Sequence, residues 1–155
     1  MAIAKRAARA ILVDDEGRLI LIRRTRPGQE PYWTAPGGGV EDTDPSVEAA
    51  LHRELAEELG ATAVGASQVF MCSTPGNVGV AVQYFFLARV ATMDEQLRLG
   101  PEFSDPTRGG YAVERIDLVG DTPLAVDLKP AALKEFILAN REALLLDAAS
   151  MVTTG

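Results

Sequence analysis

The chain has one cysteine, Cys72, and one histidine, His52. A single cysteine excludes an intrachain disulfide, a cysteine zinc cage and an iron–sulfur cluster held by this chain alone, and a reducing cytoplasm is the expected setting. A serine–histidine or cysteine–histidine catalytic pair would have to be built on His52. Long apolar runs are also missing. The run from Ala10 to Val13, which follows Lys5 and Arg6, is too short for a signal peptide's core, and no later stretch approaches a membrane span. Positive charge is in deficit, with a formal net charge of -7. That balance argues against a nucleic acid polymer as partner, because such binding displaces counterions with clustered Lys and Arg. A small phosphorylated ligand escapes the objection if metal ions supply the positive charge.

What is present suits one globular domain: 155 residues with 47% hydrophobic content can bury most of an apolar core without staples. The domain is expected over residues 1–147, with a polar tail over 148–155. Basic residues crowd the first stretch (Lys5, Arg6, Arg9, Arg18, Arg23, Arg24 and Arg26), either as a solvated face or with one or two of them binding an anion.

Two apolar runs, Ala7 to Val13 and Leu19 to Ile22, flank the acidic turn Asp14-Asp15-Glu16-Gly17 and read as a hairpin. Pro27 to Pro31, and then Ala35-Pro36-Gly37-Gly38-Gly39, break the pattern. A helix is expected from Asp44 as N-cap, with Pro45 in its first turn and Gly60 as its stop. Strands are expected over Thr62 to Cys72, Val78 to Ala91 and Tyr111 to Val119, with a long loop from Thr92 to Gly110 and a closing helix from Pro130 to Leu146. This order implies an α/β fold in which helices pack on a mixed sheet.

At 100° per residue, Glu54, Glu57 and Glu58 fall in one sector of the first helix, on the side that also carries Val47, Ala50 and Leu51. Like charges at this spacing destabilise a helix by roughly 0.2–0.5 kcal/mol per pair. One reading is an exposed, highly charged helix face. The other is a site for hard cations, which take oxygen ligands and share their site with substrate phosphates. Arg53, four residues before Glu57, could brace that carboxylate. The glycines from Gly37 to Gly39 let the backbone approach a ligand closely just before this helix. They are not a P-loop, since no Gly-Lys-Ser or Gly-Lys-Thr follows. Nor do Asp42 and Asp44 begin a calcium loop, because Val47 stands where that loop needs glycine and Arg53 where it needs glutamate.

Pro36-Gly37-Gly38-Gly39-Val40-Glu41, followed by Glu48-Ala49-Ala50 and Arg53-Glu54-Leu55-Ala56-Glu57-Glu58-Leu59-Gly60, resembles the Nudix box of Nudix hydrolases. The match from Arg53 to Gly60 is complete. Upstream the chain departs from the pattern: counted from Gly38, Asp44 replaces the first glutamate and the stretch to Arg53 is one residue too long. Counted back from Arg53, Pro45 takes that place, and Ala61 stands where a bulkier aliphatic is usual.

The resemblance covers nearly the whole chain and implies a Nudix-like α/β/α sandwich. The implied enzyme is a divalent-metal-dependent hydrolase of the pyrophosphate bond in a nucleoside diphosphate linked to another moiety. Magnesium is the implied ion, with manganese as its substitute, and nucleotide sugars, ADP-ribose, dinucleoside polyphosphates and nucleoside triphosphates all remain open as substrates. The resemblance implies Glu57 and Glu58 as metal ligands, Glu54 as ligand or base, Arg53 as brace and Gly38 as a backbone ligand, with Gly37 and Gly39 lining the substrate. Glu102 is the chosen further carboxylate from the long loop, ahead of Asp94, Glu95, Asp105 and Glu114. Arg23 or Arg24 could contact the substrate, since neighbouring strand residues point to opposite faces. The alternative function is a nucleotide-binding sensor without turnover. Relatives often dimerise, so a homodimer is a further expectation, and no membrane partner is expected.

Overall fold

Alternation of apolar residues in the two N-terminal strands decides the layers. In β1 (Ile3–Val13), Ile11 and Val13 face one way while Ala8, Ala10 and Leu12 face the other; in β2 (Arg18–Thr25), Leu19 and Leu21 oppose Ile20 and Ile22. Both faces are therefore apolar, and each is covered. The computed structural model describes residues 2–97, 109–120 and 125–151. Its remaining elements are β3 (Tyr32–Thr34), β4 (Gly37–Gly39), α1 (Val47–Leu59), β5 (Ala61–Pro75), β6 (Val80–Met93), β7 (Gly110–Asp117), β8 (Leu128–Lys129) and α2 (Ala131–Ser150).

The strands form one mixed sheet in the order β5-β6-β1-β2-β3-β8, with β4 added beside β1 and β7 beside β2. Leu133, Ile137, Leu144 and Ala148 of α2 close one core with Leu19, Leu21, Phe85 and Leu87. Ala50, Leu51, Leu55 and Leu59 of α1 close the other with Ala8, Leu12, Ile20 and Phe86. This is the expected α/β arrangement of helices on two faces of a curled mixed sheet. No helix among the described residues is long and apolar enough to cross a membrane.

The hairpin turn is built as its sequence implies: the Asp14 carboxylate accepts the N–H groups of Glu16 and Arg18, and Gly17 takes a positive φ of 75°. The first helix ends as expected at Gly60, in the left-handed region at φ 59°, with its N–H donating to the Ala56 carbonyl. Its start is different. The N-cap is Ser46, whose hydroxyl accepts the Ala49 N–H, rather than Asp44, and Pro45 lies before the helix. Asp44 is withdrawn from capping because its carboxylate is engaged by Arg53. β5 and β6 outrun their expected limits, and β6 continues through Thr92 to Met93 before a short 3-10 turn at Glu95–Leu97. α2 likewise runs past Leu146 to Ser150, where Ala148 is buried.

The split that matters for function lies in β1. It pairs in parallel with β6 along nearly its full length, yet meets β2 only at Leu12 and Val13. At Ala7 to Arg9 the antiparallel partner is β4 instead. A cleft opens along this exchange of partners, with β4 on one side and the outer parts of β2, β3 and β7 on the other.

Candidate active site

The three glycines read as a break in the sequence but form a strand in the structure, pressed between β1 and α1. Absence of side chains is what lets them lie there. A β-carbon on Gly37 would strike the Ala8 carbonyl oxygen, and Gly37 sits at φ 142°, where side chains are rarely tolerated. A β-carbon on Gly38 would fall on the Glu54 carboxylate. At Gly39 there is open space. Backbone bonds from Ala10 N–H to the Pro36 carbonyl and from Val40 N–H to the Arg6 carbonyl clamp the run at both ends.

The carboxylates of α1 are held by name. Arg53 donates to Glu54 at 3.0 Å, to both oxygens of Glu57 at 3.3 Å and to the Gly39 carbonyl at 2.9 Å. Its Nε and Nη2 meet the two Asp44 oxygens, each at 2.9 Å. The Gly37 N–H reaches Glu58 Oε1 at 3.3 Å. These contacts offset the repulsion among three glutamates on one helix sector. The Arg53 guanidinium, helped by the Glu41 N–H, holds the Asp44 carboxyl below the usual carboxylate range. Arg53 itself is raised above its ordinary value, first by Asp44 and then by Glu54 and Glu57.

Glu54 and Glu58 line the cleft, about 230 Å³ in volume, together with Gly37, Gly38, Gly39, Arg9, Ile22, Arg24, Thr34 and Tyr111. Glu57 is not among the lining residues and is the more exposed, at 38% against 16% for Glu54. Among the described residues no three His, Cys, Asp or Glu side chains converge into a ready-made cage for an ion. Two carboxylates beside backbone oxygens, with no sulfur or imidazole among the lining groups, suit a hard ion that keeps several waters and shares its site with phosphates. The donor set therefore fits a hard divalent ion.

Arg24 lies over the Tyr111 ring at 3.8 Å from its centroid and over Tyr32 at 5.8 Å, and its buried Nε has no hydrogen-bond partner among the described residues. Its neighbour Arg23 is on the other face, 5.8 Å from the Trp33 ring centroid and 3.9 Å from Glu114. Of the two expected contacts, only Arg24 lies at the cleft. Glu114 also belongs to the far face, where it accepts the Trp33 Nε1–H at 2.7 Å. Asp94 caps the turn that begins at Glu95, beyond the C-terminal end of α1. Glu102 and Asp105 lie outside the described residues. His52 and Cys72 do not line the cleft, and burial pushes the Cys72 thiol up, away from the thiolate a nucleophile needs. A larger groove of about 380 Å³ lies at the other end of the sheet, but its Asp14 is consumed by Arg18 and Arg115 at 2.9 and 3.5 Å.

The sequence reading missed the part played by Asp44 and did not single out Arg9. Arg9 donates its Nε to Gln83 Oε1 and its Nη1 to the Ala35 carbonyl, both at 2.8 Å. Burial lowers its pKa while Glu58 and Glu54 pull the other way. The available signal was its isolation: Arg9 is the one charge in the otherwise apolar stretch from Ala7 to Val13.

A family model described as NUDIX domain matches residues 4–122. An RNA pyrophosphohydrolase of Saccharophagus degradans is 48% identical over 50 residues, covering 32% of this chain and 28% of that protein. An ADPR responsive transcriptional repressor, NtrR, of Acinetobacter baylyi is 32% identical over 96 residues, covering 57% of this chain and 38% of the repressor. The chain thus spans well under half the length of these curated relatives. The crystal structure of a MutT NUDIX hydrolase from Burkholderia pseudomallei superposes with a TM-score of 0.60 at 26% identity, covering 92% of this chain and 96% of that one.

Proposed function

Since the chain belongs to the NUDIX family, we propose that it hydrolyses the pyrophosphate bond of a nucleoside diphosphate linked to another moiety, in a reaction that depends on a divalent ion. The observation that carries this reading is the placement of Glu54 and Glu58 in one polar cleft with the glycine strand and the cations Arg9 and Arg24. Family members generally use divalent metal ions. Here Glu54, Glu57 and Glu58, with the backbone of Gly38, would hold magnesium or, in its place, manganese. When bound, such an ion lowers the pKa of water and offsets charge on phosphate oxygens.

The chain's own residues do the positioning. Arg53 fixes Glu54 and Glu57 while also holding the Gly39 carbonyl, and the Gly37 N–H fixes Glu58, so that none of the three carboxylates has to be ordered when substrate arrives. Glu54, the closest carboxylate to the Gly38 backbone, is the group proposed to take the proton from attacking water. Arg24, stacked on Tyr111, supplies a cation for the substrate and an aromatic neighbour for a base. The moiety beyond the diphosphate is set by residues around Tyr32 and Tyr111, beside Arg24.

The likeness to an ADPR responsive repressor favours a second reading, a nucleotide sensor without turnover. One experiment separates them: release of nucleoside monophosphate from ADP-ribose, nucleotide sugars, dinucleoside polyphosphates and nucleoside triphosphates, with and without magnesium or manganese. Metal-dependent release by the parent, lost in a folded Glu57→Gln, Glu58→Gln double variant, supports the hydrolase. Binding that raises the melting temperature without any turnover overturns it in favour of the sensor.

A further inference from the structure

Arg9 is held by neutral groups alone. Its flanking residues, Ala8 and Ala10, are fully buried, and it shares the cleft with Glu54 and Glu58. Arg18, Arg23, Arg53 and Arg115 each have a carboxylate within ion-pair distance. Arg9 has none among the described residues; its bonds are to the Gln83 amide oxygen and the Ala35 carbonyl. Those two bonds use Nε and Nη1, which fixes the plane of the guanidinium and leaves Nη2 with no acceptor among the described residues. Taking a cation out of water with no carboxylate at ion-pair distance is costly; Glu58 and Glu54 of the same cleft offset part of that cost, and a bound anion is what relieves the rest.

The position of the charge says which anion. Arg9 stands where β1 exchanges β2 for β4, directly across from Gly37 in register, so the glycine strand lies between it and α1. A single phosphoryl group at the Glu54–Glu58 side leaves Arg9 unmatched. A second one, joined to the first through a bridging oxygen, brings its non-bridging oxygens toward the other wall of the cleft. We propose that Arg9 is a substrate-binding residue that takes a non-bridging oxygen of this second phosphoryl group, so that the cleft selects a diphosphate over a monophosphate. Gln83 is then a positioning residue. Its amide orients Arg9 without neutralising it, whereas a glutamate there would supply an internal counter-ion and compete with the ligand.

This assignment rests on the proposed reading only in so far as the ligand carries a diphosphate, and it is tested by binding without turnover. The probes are a methylene-bridged, non-hydrolysable analogue of ADP, and AMP, each titrated calorimetrically in the presence of magnesium. The parent should prefer the diphosphate analogue by about 10-fold or more, and Arg9→Gln and Gln83→Glu should each remove most of that preference while moving AMP affinity by less than about 3-fold. Arg9→Lys should recover part of it. Gln83→Glu is the decisive variant: a purely structural Arg9 would gain an ion pair and keep its ligand. If the preference survives in folded Arg9→Gln and Gln83→Glu proteins, or if the parent shows none, the assignment is overturned. A parent that binds with this Arg9 dependence but hydrolyses nothing leaves the assignment standing and removes the hydrolase reading. Turnover with KM unchanged in Arg9→Gln does the reverse.

Discussion

Asp44 and Arg53, nine residues apart, meet fork to fork: Nε on Oδ1 and Nη2 on Oδ2, both at 2.9 Å. This pair accounts for the irregular spacing upstream of the helix. The segment before Ser46 can hold one residue more than the family pattern because what it must deliver is a carboxylate at Arg53, and Asp44 delivers it.

Asp44 titrates lower in the folded chain than in the unfolded one, so the pair's contribution is fully present above the usual carboxylate range and is lost as pH falls through the depressed folded value. Asp44→Asn should therefore lower the urea midpoint by a constant amount from about pH 8 down to about pH 5, with the gap closing below about pH 4. A gap that stays constant through the acid range would show that the fork is not its source. Activity should also fall by roughly 10- to 100-fold, because Arg53 loses the anchor that aims it at Glu54 and Glu57.

Three consecutive glycines should give three different outcomes. Gly37→Ala meets the Ala8 backbone at a positive φ and should destabilise the fold by at least about 1–3 kcal/mol in thermal unfolding. Gly38→Ala should fold but displace the Glu54 carboxylate, with the loss read in kcat. Gly39→Ala has room and should be near neutral in both assays. Equal effects at all three positions would contradict the layered packing of β4.

Activity should fall without a matching loss of stability at Glu58. An amide keeps an oxygen for the Gly37 N–H and removes a like charge four residues from Glu54. Glu58→Gln should leave the metal-free protein within about 0.5 kcal/mol of the parent, because relief from the like charge of Glu54 is set against loss of the attraction for Arg9, while turnover falls by about 100-fold or more. A Glu58→Gln protein that is less stable than this in chelator would show that the carboxylate serves the fold.

The far face provides the control. Trp33→Phe removes the 2.7 Å bond to Glu114 and should cost about 1 kcal/mol of stability with kcat within about 2-fold of the parent. Glu114→Gln should likewise remain active. A large fall in kcat for Glu114→Gln would place the missing carboxylate on the α2 side, against the register of β7.

Much of this was legible in the sequence where local chemistry had no rival. Gly60 stops α1 because a left-handed residue is needed there, and the Arg53 to Gly60 run placed its carboxylates on one sector. The start of the same helix was misread for a tertiary reason: Asp44 has good capping chemistry, but Arg53 claims it. The glycine run reads as a turn because nothing in its own sequence announces a strand, and only β1 beside it makes one. β3 and β8 are equally short and equally dependent on their partners. That Arg24 rather than Arg23 reaches the cleft follows from the burial phase of β2, which alternation alone leaves undetermined. Glu102 lies outside the described residues.

The pairing of β1 with β6 also governs when this site comes into being. Arg9 and its partner Gln83 are separated by 74 positions along the chain, and the strands that carry them run parallel, a connection that no tight turn can make. Closing so large a loop is slow compared with forming α1 or the first hairpin, both of which need only near neighbours. During synthesis the glutamate helix, the glycines and Arg9 itself emerge well before β6, and Arg9 has no Gln83 to orient it until β6 docks. A fragment that ends after α1 therefore carries the whole acidic motif and both cleft arginines but lacks Gln83, which orients Arg9, and Tyr111, on which Arg24 stacks.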